Sequence, residues 1–180
     1  MADLGTPQSP WPMRAMFLAL ALAFVFGRLL PLQTLPSAVA GPDLLVALIF
    51  AWALRRPDYV PALSIAFTMM LADLMFGRPP GLWAALILIA AEWLKVQGRR
   101  PVENTFFSEW FTVAVVLLAA TVVNRVVLGV MIVEHGALQL YITQFALTVL
   151  AYPLVVGVGW ILLGVRHAAP GEFDSPGRAV

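Results

Sequence analysis

The sequence predicts an all-α integral membrane protein, a compact bundle of six transmembrane helices with a short second helix. Hydrophobic residues make up 61% of the 180 residues, charged residues only 12%, and the mean hydropathy is +0.89. Soluble domains are about half apolar and about a quarter charged. The apolar residues also cluster in long runs separated by short polar breaks, which is the pattern of membrane spans. The lipid bilayer is therefore the expected surrounding of this chain.

The polar breaks divide the chain into three regions. Residues 1–12 and the tail 166–180 are polar and are predicted to be disordered, whereas residues 13–165 form the transmembrane domain. The expected spans are 14–32, 44–54, 59–76, 82–97, 109–133 and 138–165. The first span resembles a signal peptide ending near "AVAG" at 38–41, but Arg28 interrupts it, so a retained span is favoured.

The second span is short, and the charge distribution decides how it is interpreted. Its apolar part, 44–54, extends about 17 Å, whereas a hydrocarbon core is about 30 Å thick. It is therefore either a short tilted span or a re-entrant hairpin. With six crossings and a cytoplasmic N-terminus, most basic residues face the cytoplasm, and the positive-inside rule favours that arrangement, with both termini cytoplasmic. These basic residues are Arg14, Arg55, Arg56, Lys95, Arg99, Arg100, Arg166 and Arg178.

Three charged residues are expected inside the membrane at a similar depth. Counted from the cytoplasmic ends of their spans, Asp73, Arg28 and Arg125 lie about 21 to 24 Å into the bilayer. Asp43, which opens the second span, begins near the same level. An unpaired charge in a span costs about 2.5–3.5 kcal/mol. The favoured hypothesis is a structural polar cluster of Asp73 with Arg125 or Arg28; a ligand or ion site and snorkelling to the outer surface are the alternatives.

The "GRPPG" segment after Asp73 predicts a tight turn. Pro79 disfavours helix at Arg78, and Gly81 is free to adopt a positive φ. The turn returns the chain to the membrane at Trp83, an interfacial anchor.

Other charged residues have simpler explanations. Glu92 and Lys95 are three residues apart on one helix face, which predicts an ion pair. The arginine pairs Arg55–Arg56 and Arg99–Arg100 are weak candidates for contact with anionic lipid or a cytoplasmic partner. The topology alone also explains their position.

The composition disfavours several classes of function. There are no cysteines and only two histidines, His135 and His167, and no group of ligands converges on a metal site. The serines have no plausible base within the membrane. A net charge of +1 gives no reason to expect a nucleic-acid partner. We therefore expect a protein without catalytic activity, cofactor or metal.

Two stretches carry a resemblance to a known family. They are "PDLLVALIFAWALRRPDYVPAL" at 42–63 and "LADLMFGRPPGLWAALILIAAEWL" at 71–94. In the second, Asp73 is followed by a Gly-x-Pro-x-Gly pattern at Gly77, Pro79 and Gly81. With six spans in about 180 residues, this chain resembles the rod shape-determining protein MreD family, in the form typical of alphaproteobacteria. The resemblance is specific over about 42–100, and Met69 stands where many members have a glycine.

This resemblance implies a fold similar to the six-helix substrate-binding components of energy-coupling-factor transporters. It also implies a non-enzymatic scaffold of the bacterial inner membrane that controls rod shape during side-wall peptidoglycan synthesis. Such proteins bind MreC, a bitopic periplasmic protein, and help to link MreB filaments to the RodA-type glycosyltransferase and its transpeptidase partner. The alternative is a small-molecule-binding membrane subunit of a vitamin-type transporter.

Overall fold

The computed structural model describes residues 11–30, 40–99, 105–132 and 137–163, and these residues form helices without strands. The all-α prediction is therefore confirmed for this part of the chain. A short 3-10 turn, Pro57–Tyr59, joins the second and third helices. The helices are α1 (Trp11–Leu29), α2 (Leu44–Arg55), α3 (Ala62–Met75), α4 (Leu82–Gly98), α5 (Phe106–Val130) and α6 (Leu138–Leu163).

Three of the described helices are long and apolar enough to cross a membrane. They are α1, α5 and the part of α6 from Leu138 to Ile161. Their outer faces expose large apolar side chains such as Phe111, Val126 and Leu154. An apolar surface of this extent is consistent with a membrane protein. A crossing by each of the six helices remains a prediction.

Helix α2 is the centre of the bundle. Its 12 residues extend about 18 Å, so the prediction of a short second helix is confirmed. Every residue from Leu45 to Leu54 is buried, as expected of a helix that is apolar on all sides. It packs mainly against α4 and α6, and also against α1. Because other helices surround α2, its length does not have to match the thickness of a bilayer.

Helix α4 approaches α2 closely at Gly98. A Cβ atom built on Gly98 would overlap the backbone carbonyl of Leu54. Deeper in the core, the ring of Trp52 packs against Phe17 and Tyr59, with ring centroids 5.6 Å and 6.4 Å away. These contacts fix α2 between its neighbours.

Consecutive helices alternate in direction, so that charged residues collect at two ends of the bundle. One end, the Asp43 end, contains the C-terminal ends of α1 and α3 and the N-terminal ends of α2 and α4, as the contacts Arg28–Asp43 and Asp73–Gly81 show. The other, the Arg55 end, contains the C-terminal end of α2 and the N-terminal part of α5.

Candidate functional site

Asp43 stands at the N-terminus of α2 and joins this helix to α6. Its Oδ1 accepts a 3.4 Å hydrogen bond from the Val46 backbone N–H, as an N-cap residue does. Its own backbone N–H donates to Oγ1 of Thr148 in α6, 2.8 Å away. The Asp43 side chain is 7% exposed. Its position is therefore fixed by the backbone of α2 and by α6.

Two arginines approach the Asp43 carboxylate. A guanidinium nitrogen of Arg28 lies 3.7 Å from Asp43 Oδ2, and one of Arg78 lies 3.8 Å from the same oxygen. Both distances are ion-pair contacts and exceed the range of a hydrogen bond. Both guanidinium groups also contact the Phe76 ring, at 5.0 Å and 5.6 Å from its centroid. Two arginines and one aspartate give this group a formal charge of +1.

Asp73 is fully buried and connects α3 to the start of α4. Its Oδ2 accepts hydrogen bonds from the backbone N–H groups of Gly81 and Ala84, at 3.2 Å and 3.1 Å. The first N–H groups of a helix have no partner within the helix, and negative charge is stabilised there. Its Oδ1 accepts no hydrogen bond from the residues that the structure describes. Asp73 therefore caps α4 from the neighbouring helix.

The predicted pairing of Asp73 with Arg125 or Arg28 is corrected by these contacts. Arg28 pairs with Asp43, and the Arg125 guanidinium lies over the Tyr141 ring, 5.0 Å from its centroid. The reason is that counting residues along a helix gives the depth of a side chain but not the direction in which it points. The backbone of the turn takes the place of an arginine as the partner of Asp73.

The motif residues form the predicted turn between α3 and α4. Gly77 and Gly81 have φ angles of +64° and +91°, which side chains disfavour. The Arg78 N–H donates a 3.0 Å hydrogen bond to the Asp73 carbonyl and closes the end of α3. Pro79 lies between the two glycines. The positive φ predicted for Gly81 is confirmed, and Gly77 needs one as well.

A second buried polar group, which the sequence analysis missed, lies at the Arg55 end. Arg55 donates two hydrogen bonds of 3.0 Å to the two carboxylate oxygens of Glu109. The Tyr152 hydroxyl donates to Glu109 Oε1, 2.5 Å away. Glu109 and Tyr152 are 4% and 1% exposed. This group ties α2, α5 and α6 together. The sequence suggested Arg55 as a weak candidate for contact with anionic lipid or a cytoplasmic partner, but its side chain is only 12% exposed and pairs with Glu109. No sequence pattern joins residues so far apart.

The remaining charged candidates are Arg56, Arg99, Arg100 and the predicted pair of Glu92 with Lys95. Arg56 lies over the Tyr59 ring at 5.2 Å. A guanidinium nitrogen of Arg99 lies 3.8 Å from Oδ1 of Asp58, and both side chains are about half exposed. Arg100 lies outside the described residues, so the weak prediction for it is not addressed. The predicted Glu92–Lys95 ion pair is confirmed, with a nitrogen–oxygen distance of 2.6 Å.

Two cavities open on either side of Asp43. The first, here called the Trp83 cavity, has a volume of about 460 Å³ and lies between the 76–83 segment, α5 and α6. The second has a volume of about 550 Å³ and lies between α1 and the start of α2. Asp43 and Phe76 line both of them. The polar residues of the Trp83 cavity include Asp43, Arg78, Trp83, Asn124, Tyr141 and Gln144.

Within the part of the chain that the structure describes, no group of three histidine, aspartate or glutamate side chains is placed to hold a metal ion. Comparisons with protein-family models, with curated proteins and with solved structures find no match to this chain.

Proposed function

We propose that this protein is a non-enzymatic scaffold of the bacterial inner membrane that acts in cell elongation, as its resemblance to the MreD family implies. In this role it binds MreC and links MreB filaments to the RodA-type glycosyltransferase and its transpeptidase partner. The observation that carries the proposal is the contact of Asp73 with the turn. Asp73, Gly77 and Gly81, which carry the resemblance, all shape the junction of α3 and α4.

The buried charges of the bundle suit a scaffold because they fix its shape. Asp73 caps α4, and the Glu109 carboxylate is held by Arg55 and Tyr152. A scaffold needs a surface of constant shape, which buried polar groups that are hydrogen-bonded across helices help to specify. The Asp73 carboxylate joins α3 to α4, and the Glu109 carboxylate joins α5 to α2 and α6.

The proposal includes a multi-pass arrangement with both termini in the cytoplasm. It is supported by the alternating direction of the helices and by the basic residues at the Arg55 end, where Arg14 donates a 2.9 Å hydrogen bond to the Asp58 carbonyl. Arg55 and Arg99 lie at the same end of the bundle. By the positive-inside rule this end faces the cytoplasm.

The Trp83 cavity supports a second candidate, a small-molecule-binding membrane subunit of a vitamin-type transporter. Ligand sites are concave, mostly apolar and provided with a few polar groups, and their volumes are about 300–1,000 Å³. The cavity of about 460 Å³ has this size and character. The scaffold remains the preferred function because the family resemblance rests on residues that shape the bundle.

Affinity purification of the tagged protein from its native membranes in mild detergent separates the two candidates. Mass spectrometry of proteins and small molecules is performed on the same eluate, with an unrelated tagged membrane protein as control. The scaffold predicts a stoichiometric single-span protein with a large periplasmic part. ATPase subunits in place of that partner would contradict the scaffold and support transport.

A further inference from the structure

We propose that the Trp83 cavity binds a small neutral molecule with an apolar body and a polar edge on which a hydrogen-bond donor stands beside an acceptor, as in an amide, a lactam or a urea. The side-chain amides of Asn124 in α5 and Gln144 in α6 would hold this edge. This inference concerns a ligand of the bundle itself and does not depend on the scaffold function.

Asn124 is a polar side chain without a protein partner inside the bundle. It is only 8% exposed, and its amide makes no hydrogen bond to the residues that the structure describes. Neither its amide oxygen nor its amide nitrogen is completely enclosed by protein atoms. Leu117, Thr121 and Leu128 lie on the same face of α5 and line the Trp83 cavity together with Asn124. The Asn124 amide is therefore free to bind a molecule in this cavity.

Gln144 brings a second amide to the same cavity from α6. Its side chain also makes no hydrogen bond within the described part of the chain. Arg125, the neighbour of Asn124, lies over the Tyr141 ring, and Gln144 follows Tyr141 by three residues, or about 4.5 Å along the helix axis. The two amides therefore line the cavity at similar heights along two adjacent helices.

Two free amides select the kind of polar edge that a ligand needs. A side-chain amide has two N–H donors and one carbonyl acceptor, and a buried polar group without a partner is costly. A ligand that only accepts hydrogen bonds would leave the amide oxygens of Asn124 and Gln144 without donors. A ligand with a donor beside an acceptor would satisfy both atoms of an amide, and a hydrocarbon would satisfy neither.

The charged side chains of the cavity favour a ligand without net charge. Among the described residues that line it, Arg78 and Asp43 are the charged ones. They form an ion pair at 3.8 Å, so their formal charges cancel. A charged ligand would lose its hydration without gaining a net opposite charge, which is costly, whereas a neutral hydrogen-bonded ligand loses much less.

The remaining walls suit the apolar body of such a molecule. Leu82, Leu117, Leu128 and Phe145 line the cavity. Its volume of about 460 Å³ lies within the range of small-molecule sites, which are mostly apolar with a few placed polar groups. The ligand is therefore a compact, largely apolar molecule with one polar edge.

The test compares three probes that share one apolar body. The full-length protein in phosphatidylcholine nanodiscs is titrated with 4-(trifluoromethyl)benzamide, with its methyl ester analogue methyl 4-(trifluoromethyl)benzoate, and with the anion 4-(trifluoromethyl)benzoate. Line broadening in fluorine NMR reports binding, and empty nanodiscs correct for partition into lipid. We expect saturable binding of the amide in the millimolar range, as is usual for a molecule of this size. The ester, which has no donor, should bind about three- to tenfold more weakly, and the anion should also bind more weakly than the amide.

Two variants and one control assign the binding to the two amides. Asn124→Leu and Gln144→Leu keep the side-chain size, and each should weaken binding of the benzamide about three- to tenfold while changing binding of the ester little. Gln139→Leu removes an exposed amide of α6 that does not line the cavity, and it should bind as the parent does. Circular dichroism verifies folding, and Asn124→Ala replaces the leucine variant if that variant is not folded.

The probe series on the parent protein is decisive by itself. Equal affinity for the amide and the ester, or tighter binding of the anion, would overturn the proposal. An unchanged preference for the amide in folded Asn124→Leu and Gln144→Leu would overturn it as well. A parent signal no greater than that of empty nanodiscs would show that the cavity takes up no such molecule and would also refute the proposal, whereas the scaffold function would be unaffected.

Discussion

The Asp73 carboxylate of α3 accepts a hydrogen bond from the backbone N–H of Ala84 in α4, at a distance of 3.1 Å. The same oxygen accepts a second hydrogen bond from the Gly81 N–H. A side chain of one helix thus supplies the cap of the next helix. The "GRPPG" turn, which contains no capping side chain for α4, depends on this contact.

The first prediction concerns the acceptor at position 73. Asp73→Ala leaves the buried N–H of Ala84 and the partly buried N–H of Gly81 without this acceptor. It should lower the free energy of unfolding by about 2–4 kcal/mol, since a buried unsatisfied group costs about 1–3 kcal/mol and a partly buried one less. Asp73→Asn keeps one amide oxygen as an acceptor and should lose less than half as much. Unfolding in mixed detergent micelles measures both. Equal losses in the two variants would show that charge, and not the acceptor, is what matters.

The second prediction is that Arg28 is coupled to Asp43 and not to Asp73. A double-mutant cycle of Arg28→Gln with Asp43→Asn should give a coupling of about 0.5–1 kcal/mol, as expected of a partly exposed ion pair. The cycle of Arg28→Gln with Asp73→Asn should give a smaller coupling. A larger coupling in the second cycle would restore the pairing that the sequence suggested.

Local features of this bundle were predictable from the sequence. The short α2 follows from the length of an apolar run between Asp43 and Arg55, and the positive φ of Gly81 follows from the prolines before it. Both depend on neighbouring residues only. The expectation that Asp43 and Arg28 lie at a similar height along the bundle agrees with their contact, whereas the depth of these residues in a membrane stays a prediction.

The partners of the charged residues were not predictable. A count of residues gives the height of Asp73 along α3, but its angular position depends on the packing of the bundle. The groups that donate hydrogen bonds to the Asp73 carboxylate are backbone N–H groups, and the residue types in the sequence do not reveal such partners. Arg55 and Glu109 are 54 residues apart, and only the folding of α5 against α2 brings them together. Long-range packing decides such pairs.

The third prediction concerns the close contact of α2 and α4. Gly98→Ala should destabilise the protein by about 1–3 kcal/mol, because a Cβ would overlap the Leu54 carbonyl and a backbone atom cannot rotate away. Gly129→Ala in α5 is the matched control, since no atom from elsewhere in the described chain lies within 4 Å of its Cβ position. It should be neutral or slightly stabilising, by up to about 1 kcal/mol, because alanine favours helix. Equal thermal midpoints of the two variants would contradict the close approach.

The fourth prediction concerns the backbone conformation of the turn. Gly81→Ala should cost about 1–2 kcal/mol, because its φ of +91° is strained for an L-residue. Gly81→Asn should cost less, since asparagine tolerates the left-handed region. Gly27→Ala, in a helical position of α1 with open space around it, is the control and should be tolerated. Thermal unfolding in detergent ranks the variants, and an alanine variant more stable than the asparagine variant would refute the conformational explanation.

The last prediction concerns the Glu109 carboxylate at the Arg55 end. Glu109→Ala leaves Arg55 without its bidentate partner and should cost about 3–5 kcal/mol, the usual effect of breaking a buried pair. Tyr152→Phe removes one hydrogen bond to a charged group and should cost about 1.5–3 kcal/mol. The double variant Arg55→Met/Glu109→Leu removes both charges and should be more stable than Glu109→Ala, because no charge then stays buried without a partner. The free energy of unfolding in mixed micelles tests this order. A double variant less stable than Glu109→Ala would show that the ion pair itself, and not the isolated charge, controls stability.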